Sequence, residues 1–234
     1  DQTNILESLV KRRTEQLNHS HQEALQLLGR AGEFRDNETG MHVTRMSKSC
    51  QAVALALEQG EHFGSLILAA SPLHDVGKIG IPDGILLKPG KLSPEERQVM
   101  NCHAQIGADI LGEYETNIMM MARDIALSHH EKWDGSGYPF GLAGKQISLA
   151  ARIAAVCDVF DALISKRPYK EPWPVESAIA FIRENSGSHF QPKIVDTFIR
   201  ILPQLNAIQS RYPDDDELTK VSHMSPDSIV KRYQ

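Results

Sequence analysis

His129 and His130 stand side by side at the end of an apolar helical run, and the chain then breaks into a loop. The stretch is "ALSHHEKWDGSGYPFG", residues 126–141. His129 continues the spacing of Ile118, Ala122 and Ile125, and His130 follows Ala126 by one turn. Side chains at such spacings share one face of a helix, and an apolar face is the one that turns inward. The fold must therefore bring two imidazoles to a buried helix end. Adjacent side chains on an ideal helix diverge by about 100°, so the pair can meet on one target only where the helix is ending. The glycines and the proline that follow supply that ending.

The same anomaly recurs along the chain. His103 shares a stripe with Val99, Ile106 and Ile110, and His42 lies beside Val43, Met46 and Cys50, with Glu38 one turn earlier. Asp158 sits with Ala151, Ala154, Ala155 and Ala162 on a helix that is apolar nearly all round. His74 and Asp75 form the adjacent pair in "SPLHDVGKIG". One buried histidine is most often satisfied by a hydrogen bond in the core. For imidazoles and carboxylates on several inward faces, a shared metal site is the simpler explanation, because a buried carboxylate is costly without a partner or an ion.

Helical periodicity dominates elsewhere, and no alternating strand pattern is present. Helices are expected over residues 43–57, 65–73, 116–131, 147–164, 174–185 and 192–204. Another starts at "KLSPEER", where Ser93, Pro94 and Glu96 make a capping box. Residues 1–30 carry a thin heptad-like stripe (Ile5, Leu6, Leu9, Val10, Leu17, Leu25, Leu28). A dimerising or signalling helix and a plain solvated lead-in fit that stripe equally well. From about residue 207 the chain turns polar and reads as a tail. We expect an all-α chain: a lead-in helix over 1–30, one domain over 31–206, and a tail over 207–234.

With 234 residues, 41% of them hydrophobic, the chain can bury one sizeable core. Its longest apolar runs fall well short of a membrane span. A formal net charge of −5 argues against a general DNA or RNA binder. Cys50, Cys102 and Cys157 lie far apart without CxxC spacing, which fits buried free thiols in a reducing cytosol. The chain starts at Asp1, which raises a longer parent protein as an expectation. His19, His21, His62 and His223 sit in polar contexts and read as surface residues, and His189 as a capping or packing residue.

At these positions the sequence closely resembles the HD-GYP family, the bacterial cyclic-di-GMP phosphodiesterases of the HD superfamily. The resemblance rests on "RDNETGMHVTR", "LHDVGKIGIPDGILLKPGKLSPEE", the isolated His103, "HHEKWDGSGYP", "CDVFDAL" and "SKRPYK", in family order from about Arg35 to Phe198. It implies a helical HD bundle with extra C-terminal helices. The lead-in is similar to the helix that joins a receiver or sensor domain to this module, so an upstream domain of that kind and a homodimer are expected.

Carried over residue by residue, the resemblance makes His42, His74, Asp75 and Asp158 ligands of one metal. Asp75 would bridge to a second ion held by His103, His129 and His130, and Glu38 would admit a third. The donors are imidazole and carboxylate without thiolate, which suits iron, manganese, nickel, cobalt or zinc; the family favours iron or manganese. Two divalent ions against Asp75, Asp158 and a hydroxide leave a local charge of about +1. The implied reaction is hydrolysis of cyclic-di-GMP to pGpG, with GMP as a further product, by a metal-bridging hydroxide.

Lys78 would neutralise charge or protonate the leaving oxygen; otherwise it is a surface lysine on a loop. Arg167 and Lys170 would contact phosphate; otherwise they answer a helix dipole. Gly135 and Gly137 would allow close backbone approach, and Tyr138 would stack on a base or meet a partner protein. Two other roles stand beside this one. The substrate could be another cyclic dinucleotide such as 3′,3′-cyclic-GMP-AMP, or the domain could be a non-catalytic module that binds a diguanylate cyclase through the GYP loop. An HD-type nucleotidase has no need of the GYP and RPYK segments. One departure from the family pattern is "FQP" in place of Phe-Asp-Pro, which puts Gln191 at an expected N-cap.

Overall fold

The computed structural model describes residues 2–36, 41–165 and 171–214. Among them the chain forms α1 (Gln2–Phe34), α2 (Met41–Ala56), α3 (Gly60–Ala70), α4 (Asp83–Leu86), α5 (Pro94–Asn101) and α6 (His103–Leu111). It continues with α7 (Asn117–Ser128), α8 (Leu149–Ile164), α9 (Val175–Glu184), α10 (Pro192–Arg200) and α11 (Leu202–Arg211). Short 3-10 turns, Ser71–Leu73 and Val76–Gly80, fall between α3 and α4. No strand occurs among the described residues; two isolated bridges, Asp134 with Ala143 and Ser186 with Phe190, are the only β pairing there. The all-α expectation holds.

α8 is the axis of the bundle. Its sequence is apolar nearly all round, and such a helix finds its minimum when surrounded. Ala151, Ile153, Ala154, Val156 and Phe160 are fully buried, and α2, α7, α9 and α10 pack around it. Phe160 meets Phe198 of α10 edge to face, with ring centroids 5.1 Å apart, a favoured arrangement for two quadrupolar rings. Ser148 starts α8 by accepting a hydrogen bond from the Ala151 amide. The capping box at Ser93 and Glu96 forms as the spacing requires.

Three boundaries differ from the sequence pattern. α3 ends at Ala70, and Pro72 opens a 3-10 turn instead of breaking a helix from within. The stretch 192–204 splits at Ile201, because Pro203 lacks an amide hydrogen and is tolerated only in the first turn of a new helix. The polar stretch from 207 begins inside α11, and Tyr212 and Asp214 beyond it dock onto Arg45. Gln191 does hold the N-cap position of α10, but its side chain accepts from Arg152 and makes no cap.

α1 is mostly solvated. Ile5, Leu6, Leu9, Val10 and Leu17 are all more than half exposed. Only its C-terminal end is seated. A Cβ at Gly29 would lie 2.3 Å from the Pro72 carbonyl oxygen, so helix and turn touch backbone to backbone there. Just past the helix, the Arg35 guanidinium donates to the carbonyls of Lys78, Ile79 and Ile81 and pairs with Asp83. α1 thus ends locked onto the segment that follows His74 and Asp75.

Candidate metal centre

Five elements deliver the expected ligands other than Glu38 to one place. His42 comes from the first turn of α2, and His74 and Asp75 lie between the two 3-10 turns. His103 is the first residue of α6, and Asp158 lies within α8. α7 stops at Ser128, with His129 as its C-cap and His130 beyond it, so the adjacent rings lie with centroids 4.0 Å apart. This is the convergence at a helix end that the opening stretch demanded. His42, His74, His103 and His129 are each at most 3% exposed.

The ring hydrogen bonds fix how each histidine presents itself. Nδ1 of His74 faces the Ser71 carbonyl, that of His103 the Met100 carbonyl, and that of His129 the Ile125 carbonyl, at 3.1, 2.8 and 2.9 Å. A carbonyl only accepts, so each Nδ1 carries the proton and each Nε2 keeps a lone pair. His42 Nδ1 faces Asp161 Oδ2 at 2.7 Å, again leaving Nε2 inward. This outer-partner arrangement is the usual one for metal-ligating imidazoles.

The inward atoms are spaced as ligands of shared ions. Asp75 Oδ1 lies 3.3 Å from His103 Nε2 and 3.5 Å from His129 Nε2, and Asp75 Oδ2 lies 3.3 Å from His74 Nε2. Asp158 Oδ1 lies 3.4 Å from His42 Nε2 and 4.0 Å from His74 Nε2. Ligand atoms about 2.0–2.2 Å from one ion fall at roughly these separations from each other. Among the described residues, Nε2 of His74, His103 and His129 and Oδ1 of Asp75 are buried without a hydrogen-bond partner. Buried polar atoms are rarely left so, and two divalent cations, one beside His74 and one beside His103 and His129, would satisfy all four. The residues fit a metal centre.

Electrostatics agree with that fit. Burial opposes ionisation of Asp75, but Lys78 and His74 outweigh it and hold the carboxyl well below the usual range. Burial likewise opposes ionisation of Asp158, and the His42 and His74 rings overcome it. Burial, then His129 and His103, push His130 well below the ordinary imidazole value, so it is a neutral donor. Lys78 Nζ contacts Asp75 Oδ2 at 2.7 Å and Asp36 Oδ2 at 2.5 Å, which places its ammonium at the rim of the centre.

The GYP loop forms the outer wall. Tyr138 stacks on His130 with centroids 4.8 Å apart, and burial pushes its phenol pKa up. The close backbone approach at Gly137 is to the chain itself: a Cβ there would lie 2.4 Å from the Lys132 amide nitrogen and 2.5 Å from Glu131 Cα. Gly135 takes a positive φ of 84°. Glu38, Arg167 and Lys170 lie outside the described residues. His19, His21 and His62 are exposed, and His189 stacks on Phe190.

Sequence reasoning passed over four acidic residues. Asp161, 1% exposed, binds the Arg45 guanidinium with both oxygens and also receives Gln209 and Ser165. Its place three residues after Asp158 put it on the same helical face, which was the available signal. Glu131 accepts from the Phe140 and Leu142 amides and closes the GYP loop. Asp36 anchors Lys78, and Glu33 is treated below. Because Asp161 orients His42, we expect Asp161→Asn to weaken metal binding about 10–100-fold. Chelator competition measures this, and wild-type affinity in the variant would contradict the assignment.

Comparison with known proteins settles the family. Residues 4–194 match the model described as HD domain. The chain belongs to the HD-domain family. Its GYP loop over the histidine cluster puts it in the HD-GYP branch, in line with named relatives. The domain is 43% identical over 194 residues to a cyclic di-GMP phosphodiesterase of Thermotoga maritima, covering 83% of this chain and 53% of that one. It is 46% identical over 190 residues to a cyclic di-GMP phosphodiesterase response regulator of Xanthomonas campestris, covering 81% and 50%. It is also 43% identical over 198 residues to a 3'3'-cGAMP-specific phosphodiesterase of Vibrio cholerae, covering 85% and 38%. The HD-domain protein thus spans about half, or less, of these relatives' length. Among solved structures, an HDG"Y"P protein of Bdellovibrio bacteriovorus matches with a TM-score of 0.55 at 23% identity, over 69% of this chain and 51% of that one. That likeness shows the fold. No helix among the described residues is long and apolar enough to cross a membrane.

Proposed function

We propose that this HD-GYP domain is a metal-dependent phosphodiesterase that opens cyclic-di-GMP to pGpG, with GMP as a further product. The observation that carries the reading is Asp75. Its two oxygens reach two sets of inward imidazole nitrogens, His74 on one side and His103 and His129 on the other. A carboxylate placed so would be shared by two divalent ions if they were bound, a pairing that serves in-line displacement at phosphorus.

Divalent ions, when bound, supply Lewis acidity toward phosphate oxygens and lower the pKa of a water. The chain does the rest. The Nδ1 partners hold the imidazoles in one tautomer and orientation. Asp75 and Asp158 stay ionised and keep the centre from excess positive charge, while the Lys78 ammonium waits at its rim for a developing oxyanion. Tyr138 bounds the space where a base would enter. The donor set suits iron, manganese, nickel or cobalt, with zinc acceptable, and the family resemblance favours iron or manganese, in two or three positions; Glu38, Arg167 and Lys170 keep their proposed roles toward the third ion and the phosphates. The exposed row on α1 supports a homodimer and an upstream receiver or sensor domain, and light scattering of the intact chain tests the dimer.

Relatives of equal identity carry both cyclic-di-GMP and cyclic-GMP-AMP names, so the second dinucleotide is the alternative substrate. The test is anaerobic incubation of iron- or manganese-loaded protein with each dinucleotide, resolving products by chromatography beside metal-stripped protein. We expect cyclic-di-GMP to be consumed only by the loaded form. Two bound ions per chain with neither substrate turned over would move the reading to a module that binds a diguanylate cyclase.

A further inference from the structure

We propose that Glu33, from the lead-in helix, is a ligand of an ion held with His42 and His74, so that seating of α1 and filling of that position are coupled. The inference rests on the metal centre above and not on the reaction it performs. Glu33 is the last but one residue of α1, and at 2% exposure it contrasts with the helix's solvated N-terminal half. Its Oε1 lies 3.6 Å from His42 Nε2. Donor atoms of Glu33, His42 and His74 all fall within 4.8 Å of one another.

The distance is the telling quantity. At 3.6 Å a nitrogen and an oxygen are beyond normal hydrogen-bond length, yet the separation is that of neighbouring ligands around one ion. Both imidazoles have their other nitrogen occupied, His42 by Asp161 and His74 by the Ser71 carbonyl. Their Nε2 atoms therefore face the space that the Glu33 carboxylate enters. Asp158 Oδ1 lies 3.4 Å from His42 Nε2 and 4.0 Å from His74 Nε2, and groups with His74 and His129. Two imidazoles and the Glu33 carboxylate make a nitrogen-and-oxygen donor set suited to a divalent transition metal.

The seating of α1 aims this carboxylate. Gly29 lies one turn before Glu33 and rests on the Pro72 carbonyl, two residues before His74. Arg35 grips the carbonyls of the following turn from the other side. A shift of α1 would carry Glu33 out of the shell, and an ion in the shell would hold α1 down.

The test uses the full chain, stripped of metal and titrated with manganese(II), as wild type, Glu33→Gln and Glu33→Asp. We expect Glu33→Gln to weaken manganese binding at one position at least tenfold while the position at His103, His129 and His130 keeps its affinity. Manganese should slow amide exchange over residues 27–34 in the wild type and leave it unchanged in Glu33→Gln. The melting points of metal-free Glu33→Gln and metal-free wild type are compared, which separates loss of fold from loss of a ligand. If that variant does not fold, Glu33→Asp, which withdraws the carboxylate by one methylene, should show the same weakening. Wild-type manganese affinity in the folded variants would overturn the proposal, as would a lowered metal-free melting point with binding intact, which would mark a purely structural role. A wild type that shows this metal pattern but hydrolyses neither dinucleotide would sink the phosphodiesterase reading and leave Glu33 as a ligand.

Discussion

Asp75→Asn is expected to lower cyclic-di-GMP turnover by about a thousandfold or more, the scale seen when a preorganised group that stabilises the transition state is removed. The substitution keeps size and shape, so the loss reports charge. Asp75 is the carboxylate within 3.5 Å of imidazole nitrogens from the HD pair, α6 and the end of α7 alike. An amide there presents one weak acceptor and one donor where two anionic oxygens stood, and the donor would point at a ligand nitrogen or an ion. Bound metal should fall by about one ion per chain or more, since affinity depends on the ligand's negative charge. The fold should survive, because Lys78 keeps Asp36 as its partner. Metal analysis and product chromatography on one preparation check both halves. A variant that kept its full metal content and its turnover would remove Asp75 as the bridge.

Gly77→Ala is the second large effect, and it works through the backbone. A Cβ at this position would lie 1.9 Å from the His103 carbonyl oxygen, 2.4 Å from the Gly107 nitrogen and 2.9 Å from Gly107 Cα. Every obstacle is main chain, so no rotamer change relieves the clash; α6 must move away. Overpacking of this kind costs about 1–3 kcal/mol or more, which lowers Tm by several degrees in a domain of this size. The displacement falls on the junction that sets Asp75 against His103, and an error of about 1 Å at such a junction costs about a hundredfold in rate. We therefore expect impaired metal binding at His103, His129 and His130 with much less change at His42 and His74. Calorimetry and metal titration read the two effects separately. A variant with wild-type Tm and metal content would show that α6 is not held by this contact.

The helices were legible because each rests on local spacing, and the same spacing marked His42, His103, His129, His130 and Asp158 as polar residues on apolar faces; their grouping with His74 and Asp75 as ligands rested on the family resemblance. His103 and His129 betray themselves by standing on apolar stripes, and Ser93 and Glu96 by standing three residues apart. Asp161 and Glu33 were passed over because their partners are distant. Asp161 meets Arg45 across 116 residues of chain, and Glu33 sits in an α1 whose remaining surface is solvated, where an acid reads as one more polar residue. Glu131 pairs with amides of its own loop, and backbone donors leave no mark in a side-chain pattern. The split at Ile201 was visible in principle. Pro203 announces it, but apolar residues on either side preserve the periodicity and mask the break.

The bare contact at Gly29 gives α1 a digital character. The helix is a rod about 50 Å long, and near its C-terminal end it meets the Pro72 turn at a notch that accepts only a hydrogen atom. A slip of one residue would turn the rod by about 100° and bring Leu28 or Arg30 against the Pro72 oxygen, where neither fits. α1 is therefore a latch with one tooth. Only one register of α1 is compatible with this contact, so the glycine at 29 sets where Glu33 falls relative to His42.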